Sequence, residues 1–332
     1  MRFVAPERGT GDPRVFARPP LAAWSEFSAL LAGQSWPGVA MVDALRRQRL
    51  SIPLSPKQNG ARTDDTDAAS AAAGVPRFVE QTPELLRDGL HYETRIAERG
   101  EIATRADNWH DLLNALVWLR WPALKCALNA RQVHEIARVG AKRRTRVQCA
   151  LTHFDEAGVV VTLRDPALLA AWDAHDWHGL FWRERDAWRD GRIAVEVFGH
   201  ALLEHALRPE QLLVGKALVV VGADDAAGAI ARVAAAIGAG LLLDDPQELR
   251  PLPLSGIPGW HAGNDLESFY RDAPCFRARR EGRVYPPAVD LALRRPAAIG
   301  SPEGTCVAER NDGERRRAAP TQGDQYAEGG PA

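Results

Sequence analysis

Apolar and polar positions alternate along this chain in two rhythms, one helical and one strand-like. Leu21, Trp24, Phe27, Leu30 and Leu31 recur at helical spacing. After an interruption at Pro37 and Gly38, Val42, Leu45 and Leu50 do the same, so residues 21–49 are predicted to form two helices. Residues 75–80 predict a strand, and 92–102 a short hairpin turning at Arg99 and Gly100. The clearest helix pair follows. Asp107 is its expected N-cap, and Trp109, Leu112, Leu113, Leu116 and Leu119 form an apolar stripe. Pro122 suits the first position of the second helix, which runs to about Val139 and stops at Gly140. Residues 147–154 and 159–163 flank the turn-like Asp155, Glu156, Ala157 and Gly158, predicting a β-hairpin. Residues 166–188 and 195–207 predict helices, 217–221 a buried strand and 225–237 a small-residue helix. The expected fold is α+β: a helix-rich single domain with a β-hairpin and a few short strands.

Composition sets the boundaries. Residues 1–20 are rich in Pro, Gly and Arg, and residues 286–332 have few large apolar side chains. Both are expected to be disordered tails around a domain over 21–285, with a flexible insert at about 57–74. The start has no apolar core of a secretory signal. Within 217–243 the longest uncharged run falls far short of the roughly 18 residues that would indicate a membrane span. The four cysteines form no C-x-x-C pair, which disfavours zinc ribbons, and a cytoplasmic location is expected. Basic and acidic side chains number 42 and 43, for a net charge of -1, so a constitutive polyanion binder is disfavoured. Among the basic residues only Lys57, Lys125, Lys142 and Lys216 are lysines.

Specific motifs carry a likeness to a known family. They are YETRI (92–96), Arg105, NWHDLLNALVWLRWPALKCALN (108–129), ALTHFDEAG (150–158), FGHALLEH (198–205), GIPGW (256–260) and FYRD (269–272). With these the chain resembles a bacterial family of unknown function, domain-of-unknown-function family 3025. The resemblance implies a proteobacterial protein and brings no activity with it.

Polar residues on otherwise apolar helices are the candidate chemistry. Asn108, His110, Asp111 and Asn114 share one helix, with His110 and Asn114 at i,i+4. Lys125, Asn129 and Gln132 form a stripe on the next, and a short connection would let the stripes face each other. A carboxylate beside a histidine fixes its tautomer and raises its basicity, the arrangement of a general base. Glu93 is a further candidate base, and Arg105 or Arg95 a candidate anion clamp. Glu196, His200 and Glu204, at i,i+4,i+8, would place two carboxylates and an imidazole on one helical face. Such a set suits a divalent metal such as Zn, Mn or Mg, with a further ligand from His110, Asp111 or Asp155. The cations Arg138, Lys142, Arg143, Arg144 and Arg146 could meet phosphate, or form a solvated loop. Trp172, Trp177, Trp182 and Trp188 read as core. Nucleotide-binding glycine motifs and G-x-S-x-G are absent from the sequence.

Three functions follow. One is metal-assisted hydrolysis of a phosphate or amide-type substrate, with His110 or Glu93 as base and Lys125 or Arg105 on developing negative charge. Another is a non-enzymatic binding or scaffold protein whose polar stripes are structural networks. The third is nucleic-acid association through the loop at 142–146.

Overall fold

The computed structural model describes residues 3–50, 75–222 and 226–290. The expected insert at 57–74, the acidic pair Asp224 and Asp225, and all of the C-terminal segment beyond 290 lie outside the described residues.

The chain begins against the core. Residues 13–17 form a 3-10 turn capped by Asp12, and Arg8 is buried, donating to the carbonyls of Ser35 (2.7 Å) and Leu30 (2.6 Å). Within the segment expected as an N-terminal tail, Arg8, Val15 and Pro20 are buried, while residues 9–14 are exposed. The first predicted helix is mostly 3-10 (Leu21–Phe27), with one α-turn at Ser28–Leu31. Trp24 departs from helical geometry there (φ -106°, ψ 20°) while its ring sits in the core. Helix α1 (Val39–Leu50) follows.

Strands β1 (Arg77–Glu80) and β2 (Glu101–Thr104) pair in parallel, Arg77 opposite Glu101. A parallel pair needs a crossover rather than a tight turn. Helix α2 (Tyr92–Arg99) supplies it, so the hairpin expected over 92–102 is corrected to helix plus strand. Gly100, at φ 62°, ends that helix in the left-handed conformation that glycine adopts without strain.

Helices α3 (Trp109–Arg120) and α4 (Pro122–Val139) match the predicted pair. The N-cap of α3 is Asn108, not Asp107: Asn108 Oδ1 accepts from the Asp111 amide at 3.0 Å, and Asp107 has φ 53°. The first arm of the predicted β-hairpin is a helix, α5 (Arg146–Ala157). Thr145 and Gln148 close a capping box at its start, and Ala150, Leu151 and Phe154 line its buried face. Only the second arm is a strand, β3 (Gly158–Leu163), buried throughout. The helix expected over 166–188 is divided into α6 (Leu168–Ala174), a π-turn (Gly179–Arg183) and α7 (Arg185–Arg189). His175 breaks it at φ 56°, its ring bonded to the Arg277 carbonyl and the Tyr285 hydroxyl.

The helix expected over 195–207 is also corrected. It begins as β4 (Ile193–Val197), antiparallel to β3, and only then becomes α8 (His200–His205). Strand β5 (Val214–Val221) runs parallel to β3, and α9 (Ala226–Gly238) packs along α4. Strand β6 (Arg250–Pro253) and the short β7 (Val289–Asp290) complete the sheet on the other side of β5. The sheet order is β4-β3-β5-β6, with β7 on β5. The C-terminal segment therefore still belongs to the sheet up to residue 290. Trp172 and Trp177 are buried, and Phe181 stacks on Trp188, so these tryptophans are core. The molecule is α+β, and no described helix is long and apolar enough to cross a membrane.

Candidate functional site

The polar stripes of α3 and α4 meet close to their connection at Trp121 and Pro122, where Lys125 reaches Asn114. Lys125 Nζ, buried at 4% exposure, donates to Asn114 Oδ1 at 2.9 Å and pairs with Asp155 Oδ1 at 2.6 Å. It also lies 5.3 Å from the centre of the Trp118 ring. Asn114 donates to the Tyr92 hydroxyl at 3.0 Å. Asn129 Nδ2 holds Glu93 twice, at Oε2 (2.7 Å) and at its backbone carbonyl (2.9 Å). Gln132 reaches Thr152 Oγ1 at 3.2 Å. These residues line one cavity of about 350 Å³, together with Arg105, His110, Asp111, Arg144, Glu156 and His200.

A second cluster closes one end of that cavity. The Gly158 carbonyl accepts from the amides of Phe198 (2.9 Å) and Gly199 (2.8 Å), tying the end of α5 to the start of α8. Gly199 is needed for this approach, since a Cβ there would lie 2.4 Å from Ala157 Cα. His200 is thereby set beside Asp155 and Glu156, and α8 packs on α3, which carries His110. The His110 and His200 Nε2 atoms face each other at 3.0 Å, with the rings inclined at 73°. Glu156 Oε2 lies 3.5 Å from His200 Nε2 and 4.0 Å from His110 Nε2. On the far side of its ring, His110 Nδ1 bonds Glu204 Oε2 at 3.1 Å. With a Glu204 oxygen as the acceptor, His110 Nδ1 is the donor, and in the neutral imidazole Nε2 then presents a lone pair. His200 Nδ1 is buried, with Asp155 Oδ2 3.9 Å away.

The electrostatics of this cluster are unbalanced. Burial drives the His200 pKa down to about 3, against the pull of Asp155, so the imidazole is neutral. Burial also works against charge on His110, but its hydrogen bond to Glu204 and the charge of Glu156 outweigh it and raise that pKa. Glu156 is pushed up by burial and by Asp155, with His110 opposing. For Asp155 burial acts upward, but the charge and hydrogen bond of Lys125 hold it below the ordinary carboxylate range. Two nitrogens bound to one zinc at about 2.0–2.1 Å are separated by roughly 3.0–3.4 Å, so the imidazole spacing fits shared coordination. His110, His200 and Glu156 each offer a ligand atom within 4.8 Å of the others.

The remaining expected residues fall around this centre. Asp111 accepts from the Arg105 amide (2.6 Å) and pairs with its guanidinium (2.7 Å), so that Arg105 stands half-exposed at the cavity rim. Asn108 serves as the α3 cap. Arg95 is a buried strut between Asp88 and Glu101 rather than an anion clamp. Glu196 is apart: on β4 it pairs with Arg120 at 3.5 Å, because the i,i+4,i+8 stripe was counted through a strand. Glu204 lies behind His110 rather than beside His200 as a fellow ligand. In the basic loop, Arg146 pairs with Asp245 (2.7 Å) and Arg138 with Glu135 (2.8 Å), while Arg144 bonds Thr152 and enters the cavity wall. Sequence reasoning missed Glu156, which it placed in a turn. The helical spacing of Val147, Ala150, Leu151 and Phe154 was the signal that could have found it.

A search of the curated proteins and a search of the solved structures find no match to the chain. Among family models, one described as "Protein of unknown function (DUF3025)" matches residues 76–280, a stretch that contains every residue lining the cavity. The match spans more than half of the sequence and agrees with the resemblance carried by the motifs above: the chain belongs to the DUF3025 family.

Proposed function

We propose that the protein is a metal-assisted hydrolase, with His110, His200 and Glu156 holding a divalent ion such as zinc or manganese. The observation that carries this reading is the pair of imidazole Nε2 atoms facing each other at 3.0 Å beside Glu156. Three protein ligands would leave a coordination position for water, as in catalytic zinc sites. A bound ion would lower the pKa of that water to near neutrality. Glu204 fits the carboxylate that orients a ligating histidine. His110 is then a ligand, which replaces the expectation that it acts as a base. Lys125 and Arg105 line the same cavity and supply positive charge where a phosphate or amide-type substrate would develop negative charge.

The scaffold reading accounts well for Asn114, Lys125 and Asn129, whose hydrogen bonds are made. It explains the contact between half-buried His110 and buried His200 as a hydrogen bond, but gives no reason for the carboxylates of Glu156 and Asp155 gathered beside it. The nucleic-acid reading is weakened by the ion pairs that occupy Arg138 and Arg146. The test is metal analysis and calorimetry on protein purified without chelator or a nickel column. Near-stoichiometric Zn²⁺ or Mn²⁺ binding, lost in His200→Ala, is expected. Absence of binding by the folded wild-type protein would refute the proposal.

A further inference from the structure

Beside its histidines the cavity is lined by three cations, Arg105, Lys125 and Arg144, and two of them are neutralised. Lys125 pairs with Asp155 at 2.6 Å, and Arg105 with Asp111 at 2.7 Å. Among the described residues no carboxylate pairs with Arg144. Its Nη2 donates instead to the hydroxyl oxygen of Thr152 at 2.5 Å, an oxygen that also accepts from Gln132 at 3.2 Å. A neutral partner orients a guanidinium without cancelling its charge. The placement has a local cause. Arg144 comes just before Thr145, the cap of α5, so its side chain lies back along the first two turns of the helix to reach Thr152. Thr152 and Glu156 are i,i+4 on α5 and share one face, about 6 Å apart along the helix axis. Through Thr152, Arg144 is thus anchored one helical turn from the cluster of His110, His200 and Glu156.

We propose that Arg144 binds a permanent negative charge on the substrate, a carboxylate or a phosphate, about one helical turn from the bond that is hydrolysed. This rests on the hydrolytic reading above. It makes the substrate a small anionic molecule, since about 350 Å³ lies at the small end of ligand pockets, roughly 300–1,000 Å³. Four carboxylates also line the cavity: Glu93, Asp111, Asp155 and Glu156. Against three cations they leave the lining net negative when all are ionised. With a divalent ion held by the cluster the balance reverses to one net positive charge, so the loaded site favours an anion. Arg144 is the cation free to meet it, because the other two already face carboxylates. A guanidinium matches a carboxylate or phosphate with parallel N–H donors, so Arg144 sets orientation as well as charge.

The experiment is calorimetry on the full chain loaded with Zn²⁺ or Mn²⁺, titrated with three acids of matched length: butyrate, succinate and 3-phosphonopropionate. Each offers one carboxylate to the metal cluster, and the last two add a second anionic group at the far end. Succinate or 3-phosphonopropionate should bind about 10–100-fold more tightly than butyrate, the worth of one charge-assisted hydrogen bond. The tighter of the two identifies the charge as carboxylate or phosphate. Arg144→Gln should abolish the difference while leaving butyrate affinity, metal content and melting temperature as in wild type. Arg144→Lys, which keeps the charge but not the fork, should restore part of it. Equal affinities for the three acids in wild type, or a preference that survives Arg144→Gln, would overturn the anion subsite and leave the hydrolase standing. A folded wild-type protein that binds no metal would overturn both.

Discussion

A single hydrogen bond decides what His110 can do. With Glu204 holding Nδ1, the lone pair sits on Nε2, facing His200. Glu204→Gln keeps the shape of the side chain, but its amide can donate to Nδ1 and favour the opposite tautomer. Outer-shell carboxylates of this kind are typically worth about 10–100-fold in metal affinity. A loss of that size in zinc calorimetry is expected for Glu204→Gln, with little change in melting temperature of the metal-free protein. Unchanged affinity would show that His110 is not a ligand. At this scale the sequence was informative wherever a polar side chain interrupts an apolar helix. His110, Asn114, Lys125 and Asn129 stood out for that reason, and all of them line the cavity. Glu156 did not stand out, since acidic residues before a glycine are also what an exposed turn uses, and its neighbour Asp155 entered only as an optional further metal ligand.

At the scale of elements, two of the corrections concern the period of a short segment next to a glycine. In α5 the run from Val147 to Phe154 has helical spacing, and the Thr145–Gln148 capping box marks its start. In β4 the small, β-branched run Ile193 to Val197 ends before Gly199, which a continuous helical stripe overlooked. The junction of these elements sets the metal cluster, because Gly158 and Gly199 allow the α5 end and the α8 start to touch. Gly199→Ala would force its methyl to within 2.4 Å of Ala157 Cα, which is backbone and cannot rotate away. Overpacking of this sort costs about 1–3 kcal/mol. The displaced α8 would also carry His200 off its position. We expect Gly199→Ala to lower both denaturation midpoint and metal affinity, whereas Gly191→Ala, at a turn with open space around it, should lower only the first. Equal metal affinity in Gly199→Ala and wild type would mean the junction does not set the cluster.

Across the whole molecule the cavity draws on α2, α3, α4, α5 and α8, with lining residues from Gln81 to His200. Such a site depends on how the helices are held, and part of that hold comes from the beginning of the chain, outside the 76–280 family match. Phe3 packs against His205, the neighbour of Glu204, with ring centres 4.1 Å apart and the planes tilted by 31°. The Val4 carbonyl accepts from Arg208, and the Pro6 carbonyl from the indole of Trp109, the neighbour of His110. Arg8 lies 4.9 Å from the ring centres of both Trp36 and Trp109. This segment therefore touches the start of α3 and the end of α8, the two helices whose side chains meet in the His110–Glu204 pair. No apolar periodicity marks it, which is why its composition reads as a tail. Arg8→Ala removes buried charge-assisted hydrogen bonds and two cation–π contacts, a loss on the order of 2–4 kcal/mol. Because metal bound only to the folded state stabilises by RT ln(1 + [L]/Kd), an ion at 100 times its Kd adds about 2.7 kcal/mol. If the N-terminal segment merely adds stability, Arg8→Ala will melt earlier but gain the same increment from Zn²⁺ as wild type. If it holds α3 and α8 in register for the cluster, the zinc-dependent increment itself will shrink. We expect the second result, read as the difference between melting curves with Zn²⁺ and with chelator.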